Sequence, residues 1–550
     1  MDTVALSQGL ASGLVWKLTV FVAFLSLVYK LSQLGRRDPR LPPGPPTLPV
    51  IGNLHQLSAK PFYKQLKKWS EQYGSVYSLK MGSDTTIVLN DRKAIHDLLD
   101  KKGAIYSDRQ KEYVCGLVTH NHYFAFEDAT SSWRSQRKIA SHVLSPRTLD
   151  DKDGKFLIDW CRMSVLLLDL LKSPEDFYKH VKRTTCSVAN VVVWGHRAAT
   201  YGEFWGHNVY KALEMFSEAM EIGANPPVDQ FPFLKWIPER FAGWKRRAIF
   251  SGREMNKTWV KARTLVEERR RESGTRPSIA DGILDGTIDV GTEMTSNKLN
   301  HFLGSLVEGG ADTTSTGMLT SLMQLSLHPE VQEKAREQLD KVCGSERLPT
   351  WSDFDQLPYI NSIVKESVRW GPPVPFGIPH VVREDDWYEG MFIPKGSSIF
   401  VPVWALHHTE KNGYGDPESY NPDRWQNHTR LASELAGIAE FENRDEYSLS
   451  SLRANRLTCL LPSPHHYVYG AGRRICPGMH LAERTMWRMT AKILWAYELI
   501  PVDVDVTRFS EGFALSPLPY KVQFKPRSEA HAATIEKDAA VALKFLEKYQ

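Results

Sequence analysis

One short segment constrains this chain more than any other part of it: Tyr469-Gly470-Ala471-Gly472-Arg473-Arg474-Ile475-Cys476-Pro477-Gly478. Its single cysteine lies among glycines, which let backbone approach closely, and directly before the helix-period stretch Met479 to Tyr497. Backbone N–H groups, a helix N-terminus and neighbouring arginines all stabilise a thiolate. The segment therefore predicts a metal-bound sulfur at Cys476, although a lone cysteine is more often an inert buried thiol.

The composition excludes several other classes of protein. The 550 residues include six cysteines with no CxxC pair, which argues against a zinc ribbon or a disulfide framework and favours a reducing compartment. Hydrophobic residues make up 42% of the chain and charged residues 24%, which permits a large buried core. The net charge of +5 carries no signature of nucleic-acid binding, so no nucleic-acid partner is expected.

An apolar stretch near the N-terminus, Leu14 to Leu34, is long enough to cross a bilayer, for which about 20 residues suffice. Lys17 lies near one end, where its long side chain reaches the interface. A cleaved secretory signal is the alternative, but Ser26 to Gly35 contains no clear cleavage site. Lys30 lies near the C-terminal end of this stretch, and Arg36, Arg37 and Arg40 follow it directly. By the positive-inside rule we therefore expect the body of the protein in the cytosol.

Beyond this stretch a proline-rich connector, Leu41 to Pro46, is stiff because proline fixes φ. The remaining pattern predicts a mainly α-helical fold with small β-sheets. Strand patterns at Val76 to Met81 and Thr85 to Leu89 flank a turn and predict a hairpin, with another strand at Ile399 to Val403. Helical periodicity is strongest in three stretches: Asn300 to Ser326, Glu330 to Val342 and Ile360 to Trp370.

The longest helical pattern contains Glu308-Gly309-Gly310-Ala311-Asp312-Thr313-Thr314. Each glycine inside a helix costs ~1 kcal/mol relative to alanine, so something other than helix stability favours this pair. Glycines make room beside a helix, and a threonine that bonds back to a carbonyl opens the helix locally. A close contact between two helices is the alternative interpretation.

The cysteine segment resembles the haem-binding loop of the cytochrome P-450 family, in which an aromatic residue, two glycines, an arginine and the cysteine recur at this spacing. The resemblance implies that Cys476 is the proximal ligand of haem b, where a thiolate favours cleavage of the O–O bond. It also implies that Arg474 pairs with a haem propionate. Tyr469 departs from the pattern, since the family usually has phenylalanine there. The loop glycines taken as cofactor-binding are Gly470, Gly472 and Gly478.

Two further segments resemble parts of the family that hold the haem. The run Trp133-Arg134-Ser135-Gln136-Arg137 matches a helix-borne tryptophan and arginine, which implies that Trp133 and Arg137 donate to the propionates. His380 stands where the family often places another propionate partner. An ordinary loop histidine is the alternative for His380.

Two other resemblances concern catalysis and core structure. The double-glycine segment is similar to the family's distal helix, so Asp312 and Thr313 match the acid and alcohol that deliver protons to bound oxygen. The segments around Glu366, Arg369 and Arg424 resemble those that form a buried ion triad, whose partners cannot be removed singly without leaving a buried charge unpaired. Without the resemblance, Glu366 and Arg369 would be an ordinary surface pair at i,i+3.

The resemblance implies a monooxygenase that inserts one oxygen atom of O₂ into a C–H bond or a double bond of a small hydrophobic organic substrate. Electrons are expected from NADPH through a separate cytochrome P-450 reductase, with cytochrome b5 as a further candidate donor. A haem-thiolate isomerase or dehydratase, and a non-catalytic haem-binding protein, are the alternatives. The Asp312-Thr313 pair argues against an isomerase, which needs no proton delivery.

The stretch Glu384 to Gly390, followed by Ile393 to Gly396, resembles fungal biosynthetic members and favours a secondary metabolite as substrate. Asn427 to His466 is longer than is usual in the family and is expected to form a surface excursion. We expect the cytochrome P-450 fold, with a single haem domain and an N-terminal transmembrane helix in the endoplasmic reticulum membrane. The predicted segments are a short N-terminal segment 1–13, a transmembrane signal anchor 14–34, a basic proline-rich connector 35–49, a haem-thiolate catalytic domain 50–526 and a C-terminal helical tail 527–550.

Overall fold

A 32-residue helix, Ser296–Leu327, crosses the interior of the protein and is buried along most of its length. The computed structural model describes residues 16–550 except 27, 31–32, 58–60, 151–162, 222, 291–293, 413, 436–466, 511 and 513. The Thr295 side chain caps the helix by accepting from the Lys298 N–H. Apolar residues occur all around this helix, which therefore packs against neighbours on several sides.

The helices fall into a mainly α-helical architecture, as the sequence predicts. In chain order they are α1 Phe62–Tyr73, α2 Arg92–Ile95, α3 Tyr113–Thr119, α4 Ser131–Val143, α5 Pro146–Leu149, α6 Met163–Lys172, α7 Phe177–Trp194, α8 Val209–Met220, α9 Gly243–Ser273, α10 Ile279–Leu284, α11 Ser296–Leu327, α12 Pro329–Cys343, α13 Pro358–Trp370, α14 Val403–His407, α15 Ala432–Leu435, α16 Met479–Ala496 and α17 Glu529–Leu546.

Within the described residues, the strands form one five-stranded sheet, in the order β1-β2-β7-β4-β3, and two small antiparallel pairs, β5-β6 and β8-β9. The predicted hairpin is confirmed, with Val76 paired to Leu89, and β7 joins β2 in parallel. The strands are β1 Val76–Met81, β2 Asp84–Leu89, β3 Asp108–Arg109, β4 His380–Val381, β5 Asp386–Tyr388, β6 Met391–Ile393, β7 Ser398–Phe400, β8 Tyr497–Asp503 and β9 Lys521–Pro526.

The strand predicted over Ile399 to Val403 is wrong at its C-terminal end. The strand ends at Phe400, and α14 begins at Val403. Pro402 has no N–H to donate to a neighbouring strand, and its fixed φ suits the position before a helix. The three predicted long helices are confirmed within α11, α12 and α13.

At the N-terminus, residues 16–26 and 28–30 are helical, and large side chains such as Trp16 and Phe21 are exposed there. Among the helices of the described residues, none has the length and apolar character needed to cross a membrane. Positions 14–15, 27 and 31–32 of the predicted anchor lie outside the described residues, as do 436–466 of the long segment before the cysteine loop. The anchor therefore stays a prediction.

Candidate active site

A cavity of about 310 Å³ separates the cysteine loop from the middle of α11. Cys476 lines one side of it, and Gly309 and Thr313 of α11 line the same cavity. Most of the remaining wall is apolar, with contributions from the loop before α4, from α7 and α8 and from the segment after α13. The fold therefore brings the two motifs that the sequence singled out to one enclosed space.

The cysteine loop depends on glycines in the left-handed region. Gly470 has φ +77° and Gly472 has φ +65°, and a Cβ on Gly472 would lie 2.2 Å from the Leu99 carbonyl oxygen. The Gly472 N–H donates to Asp100 Oδ1 at 2.7 Å. Gly472 thus packs the loop against its neighbour and does not line the cavity, whereas Gly470 and Gly478 do.

The sulfur of Cys476 lies at the N-terminus of α16, which begins at Met479. The Cys476 N–H donates to the Tyr469 carbonyl at 2.8 Å, which closes the loop. Burial raises the pKa of the Cys476 thiol, while the N–H groups of Gly478 and Met479 and the Arg137 guanidinium lower it. Those donors and that cation are what a metal-bound thiolate requires.

Basic and aromatic side chains share the cavity with the thiol. Trp133 and Arg137 of α4 both line it, as do Arg474 and His380. The Arg474 guanidinium lies 3.8 Å from the centre of the Trp133 ring, and its Nε donates to the Ser107 carbonyl at 2.8 Å. His380 Nδ1 donates to the Tyr106 carbonyl at 2.7 Å. Burial lowers the pKa of His380 well below its ordinary value, so the cations that suit the carboxylates of a cofactor in this cavity are Arg137 and Arg474.

Across the cavity from the cysteine loop, α11 leaves space beside Gly309 because this residue has no side chain. A Cβ at Gly309 would meet no atom within 4 Å, and the Thr313 hydroxyl donates to the Gly309 carbonyl at 2.7 Å. Gly310 differs, because its Cβ would contact Ala189 at 3.3 Å. The α11 backbone stays helical through this segment, so the room beside it comes from the missing side chain.

Asp312 does not share the cavity with Thr313. Within the described part of the chain, the cavity-lining residues include Thr313 and Thr314 but not Asp312. Burial raises the pKa of Asp312, with nearby Lys182 lowering it and Glu214 raising it. The acid thus lies behind the alcohol, away from the thiol and beside a lysine.

The family model described as "Cytochrome P450" matches residues 42–524. The chain is 38% identical to the cytochrome P-450 monooxygenase yanC of Aspergillus niger over 91% of this chain and 92% of that one. It is 37% identical to macC of Penicillium terrestre, covering 96% of each chain, and 38% identical to patI of Aspergillus clavatus, covering 95% and 96%. Both are also cytochrome P-450 monooxygenases.

This chain belongs to the cytochrome P-450 family. It is therefore a haem-dependent monooxygenase, and the family's cofactor is a haem with a cysteine thiolate ligand. The residues present fit that group. A partly buried cysteine lines the same cavity as a helix glycine whose missing side chain leaves space, and Arg137 and Arg474 on the same lining suit the propionates.

The P-450 core also brings Glu366, Arg369 and Arg424 together, and Glu366 and Arg369 are fully buried. Glu366 accepts from Arg369 Nε and Nη2 at 2.8 Å each and from Arg424 Nε at 3.0 Å. It also accepts from the Asn421 N–H and from Trp425 Nε1, both at 2.8 Å. Every lone-pair direction of this carboxylate is used, so removing one partner would leave buried charge uncompensated.

His407, which the sequence analysis did not single out, connects this triad to the cysteine loop. One ring nitrogen accepts from the Tyr467 N–H at 2.8 Å, and the other lies 3.2 Å from the Arg369 carbonyl. Arg369 also donates to the Pro417 carbonyl at 2.8 Å. The triad thus fixes the start of the cysteine loop through a neutral histidine.

Arg109 is a second residue that sequence reasoning missed. It lines the cavity, is buried, and donates to the carbonyls of Ile378 and Pro379 at 2.6 and 2.8 Å. Those carbonyls directly precede His380, so Arg109 holds the segment that presents this histidine. No spacing in the sequence joins residues 109 and 380. Their adjacency comes only from the pairing of β3 with β4.

Proposed function

We propose that Cys476 is the axial thiolate ligand of the haem in this monooxygenase. The observation that carries the proposal is that Cys476 and Gly309 line one cavity whose lining also includes Arg137 and Arg474 and, within the described residues, no carboxylate. Trp133, Arg137 and Arg474 would hold the propionates, with His380 as a further partner. When bound, the haem supplies the activation of O₂ for insertion of one oxygen atom into the substrate.

The protein's own contribution to that reaction is proton supply and exclusion of water. The Thr313 hydroxyl donates its hydrogen to the Gly309 carbonyl, so its oxygen is free to accept a hydrogen bond from a protonated group in the cavity. Asp312, beside Lys182, is proposed to relay protons from outside the cavity to Thr313. The apolar wall keeps bulk water away, so protons arrive through these two residues.

The partners follow from the family. P-450 monooxygenases use a redox partner and an organic substrate with O₂, and we propose an NADPH-dependent reductase as electron donor, with cytochrome b5 as a second donor. The apolar wall of the cavity favours a small hydrophobic substrate. The fungal relatives support a substrate in secondary metabolism.

We also propose that residues 14–34 anchor the protein in the endoplasmic reticulum membrane, with the domain 50–526 in the cytosol. The apolar composition of this stretch and the basic residues after it support the proposal. The exposed helical residues from Trp16 onward present large apolar side chains. The C-terminal residues form α17, which packs on α6 through Ile535 and Ala539.

The ligand assignment is tested by the carbon monoxide complex of the reduced protein. We expect the red-shifted Soret band of a thiolate-ligated haem in the native protein and its loss in Cys476→Ala. Cys343→Ala is the matched control, because this buried thiol lies at the end of α12 away from the cavity. The band should survive there. A band that persists in Cys476→Ala would exclude Cys476 as the ligand.

A further inference from the structure

The hydroxyl of Tyr210, a buried residue in the first turn of α8, lies where three helices meet. Its hydrogen is shared between the Ala311 carbonyl of α11, at 3.3 Å, and the Lys182 carbonyl of α7, at 3.1 Å. The Thr185 hydroxyl of α7 lies 3.0 Å from the same oxygen. One buried side chain of α8 therefore connects α7 and α11 through hydrogen bonds.

The carbonyl of Ala311 belongs to the peptide group that links Ala311 to Asp312, the acid proposed to relay protons. A carbonyl inside an α-helix accepts from the N–H four residues further on, and it keeps a second lone pair that a side chain can use. Tyr210 donates to this carbonyl. The Ser315 hydroxyl donates in the same way to the next carbonyl, that of Asp312, at 2.9 Å. The backbone on both sides of the acid is therefore held by side-chain hydroxyls.

The ring of Tyr210 contacts a cation whose charge reaches this acid. The Lys182 ammonium lies 4.9 Å from the centre of the Tyr210 ring, within the range of a cation–π contact. Burial raises the pKa of Asp312, and the charge of Lys182 opposes this shift. Within the described residues, the cavity lining includes Thr185 but not Tyr210. Tyr210 therefore lies behind the wall and influences the reaction only through its neighbours.

We propose that Tyr210 is a positioning residue for proton delivery, which fixes the backbone at Asp312 through its hydroxyl and the Lys182 ammonium through its ring. The inference rests on the proposed function, since it requires Asp312 to relay protons to Thr313. A proton transfer requires its donor and acceptor within hydrogen-bond reach, so a small shift of this backbone slows the relay. The expected signature is slower turnover with unchanged substrate binding.

Tyr210→Phe tests the hydroxyl alone, because phenylalanine keeps the ring and its contact with Lys182. The probe is propylbenzene, an apolar arene that suits the apolar cavity wall. Its Kd is read from the Soret shift of the ferric holoenzyme, and NADPH consumption is measured at saturating probe with excess reductase. We expect the rate to fall about two- to tenfold, the factor that one hydrogen bond is worth, with the Kd unchanged. The solvent deuterium isotope effect on this rate should rise, because proton delivery then limits turnover.

Tyr520→Phe is the matched control, since the Tyr520 hydroxyl also donates to a carbonyl of α11, that of Leu319, at 2.6 Å. Tyr520 is buried as well, and Leu319 lies about 12 Å further along the helix axis than Ala311. Both variants lose one buried hydrogen bond to α11, so their unfolding temperatures should fall by similar amounts. Only Tyr210→Phe should slow NADPH consumption. Equal slowing in both variants would mean that a loosened α11 is responsible, and would overturn the proposal.

Lys182→Met tests the contact between the ring and the ammonium. Lys182 is only partly buried on α7, so its replacement leaves the core intact. Loss of this charge should slow NADPH consumption and raise the solvent isotope effect, as Tyr210→Phe does, without changing the Kd of propylbenzene. A native rate in Lys182→Met would overturn the role of the ring.

The double variant with Asp312→Asn separates this inference from the proposed function. If Tyr210 acts through the acid, Tyr210→Phe should slow the Asp312→Asn enzyme far less than it slows the native protein. A full effect in both backgrounds would mean that Tyr210 acts elsewhere, such as on Thr185 in the cavity wall, and would overturn the inference. A native rate in Asp312→Asn would refute the proposed relay itself. A slow Asp312→Asn together with a native rate and isotope effect in Tyr210→Phe would refute only the role of Tyr210.

Discussion

Glu366 on α13 and Glu308 on α11 are both acids in the interior, with exposures of 0% and 1%. Glu366 accepts five hydrogen bonds from two arginines, a tryptophan and a backbone N–H. Glu308 has none of good geometry among the described residues. Burial is equal at the two sites, so the difference lies in the partners that the fold supplies.

That difference separates two uses of buried polar groups. A network in which every polar group is hydrogen-bonded fixes one arrangement of the chain. The network around Glu366 fixes the segment that carries His407, and through it the start of the cysteine loop. A buried group without partners costs stability. The Glu366 region therefore supports the site, whereas the middle of α11 carries an unsatisfied acid at Glu308 and contributes Gly309 and Thr313 to the cavity.

The largest expected effect is on the Glu366 side. Glu366→Ala leaves two arginines without their anion, so the free energy of unfolding should fall by about 3–5 kcal/mol, with little haem-loaded protein recovered. Glu418→Ala is the matched control, since the Lys67–Glu418 pair is also close, at 2.7 Å, but exposed. Its loss should cost about 0–1 kcal/mol. Equal denaturation midpoints for the two variants would show that the Glu366 network does not hold the core.

A smaller effect is expected in the pH dependence of stability. Burial raises the pKa of Glu308 in the folded protein to about 8, whereas an unfolded glutamate releases its proton near the ordinary pKa of about 4.3. The folded state therefore binds more protons across this window, and the contribution of Glu308 to stability falls as pH rises. Unfolding of Glu308→Met by denaturant between pH 5 and 8 should show a flatter decline. Parallel profiles would mean that the carboxyl is ionised in the folded protein.

The smallest expected change in the free energy of unfolding concerns two glycines of α11, for which replacement by alanine should have opposite effects. Gly309→Ala should raise the free energy of unfolding by ~1 kcal/mol, because alanine favours a helix and its Cβ meets open space. Gly304→Ala should lower it by about 1–3 kcal/mol, because its Cβ would lie 2.3 Å from the Trp259 ring. Turnover should fall in Gly309→Ala, whose new methyl group enters the cavity. A destabilised Gly309→Ala would mean that this space is not kept for a ligand.

Site residues could be predicted from the sequence where the local combination of residue types is unusual. Glycines around a single cysteine, and a glycine pair inside a helix, have few structural explanations, and both segments line the cavity. Gly472 was also singled out, but its reason is the close Leu99 carbonyl and not the cavity. From sequence alone, a glycine needed for packing and one needed for a cofactor look the same.

The parts that the sequence could not supply depend on contacts between distant segments. Nothing in the local sequence distinguishes Arg109 or His407. Arg109 reaches the segment before His380 because β3 pairs with β4, and His407 reaches the cysteine loop because α14 packs beside it. Glu308 is adjacent to a motif, yet only the structure shows that no good partner reaches it. Asp312 and Thr313 are consecutive, and the helix directs only Thr313 into the cavity because neighbouring side chains lie about 100° apart.

The central claim is that the middle of α11 carries oxygen chemistry and not fold stability, and Thr313→Ala tests it most directly. The measurement is hydrogen peroxide released per NADPH consumed, with reductase and a substrate identified by binding. Thr316→Ala is the control, a buried threonine on the same helix that does not line the cavity. We expect Thr313→Ala to keep the native carbon monoxide spectrum and unfolding temperature while peroxide per NADPH rises several-fold, with Thr316→Ala at the native ratio. A native ratio in Thr313→Ala would contradict the account.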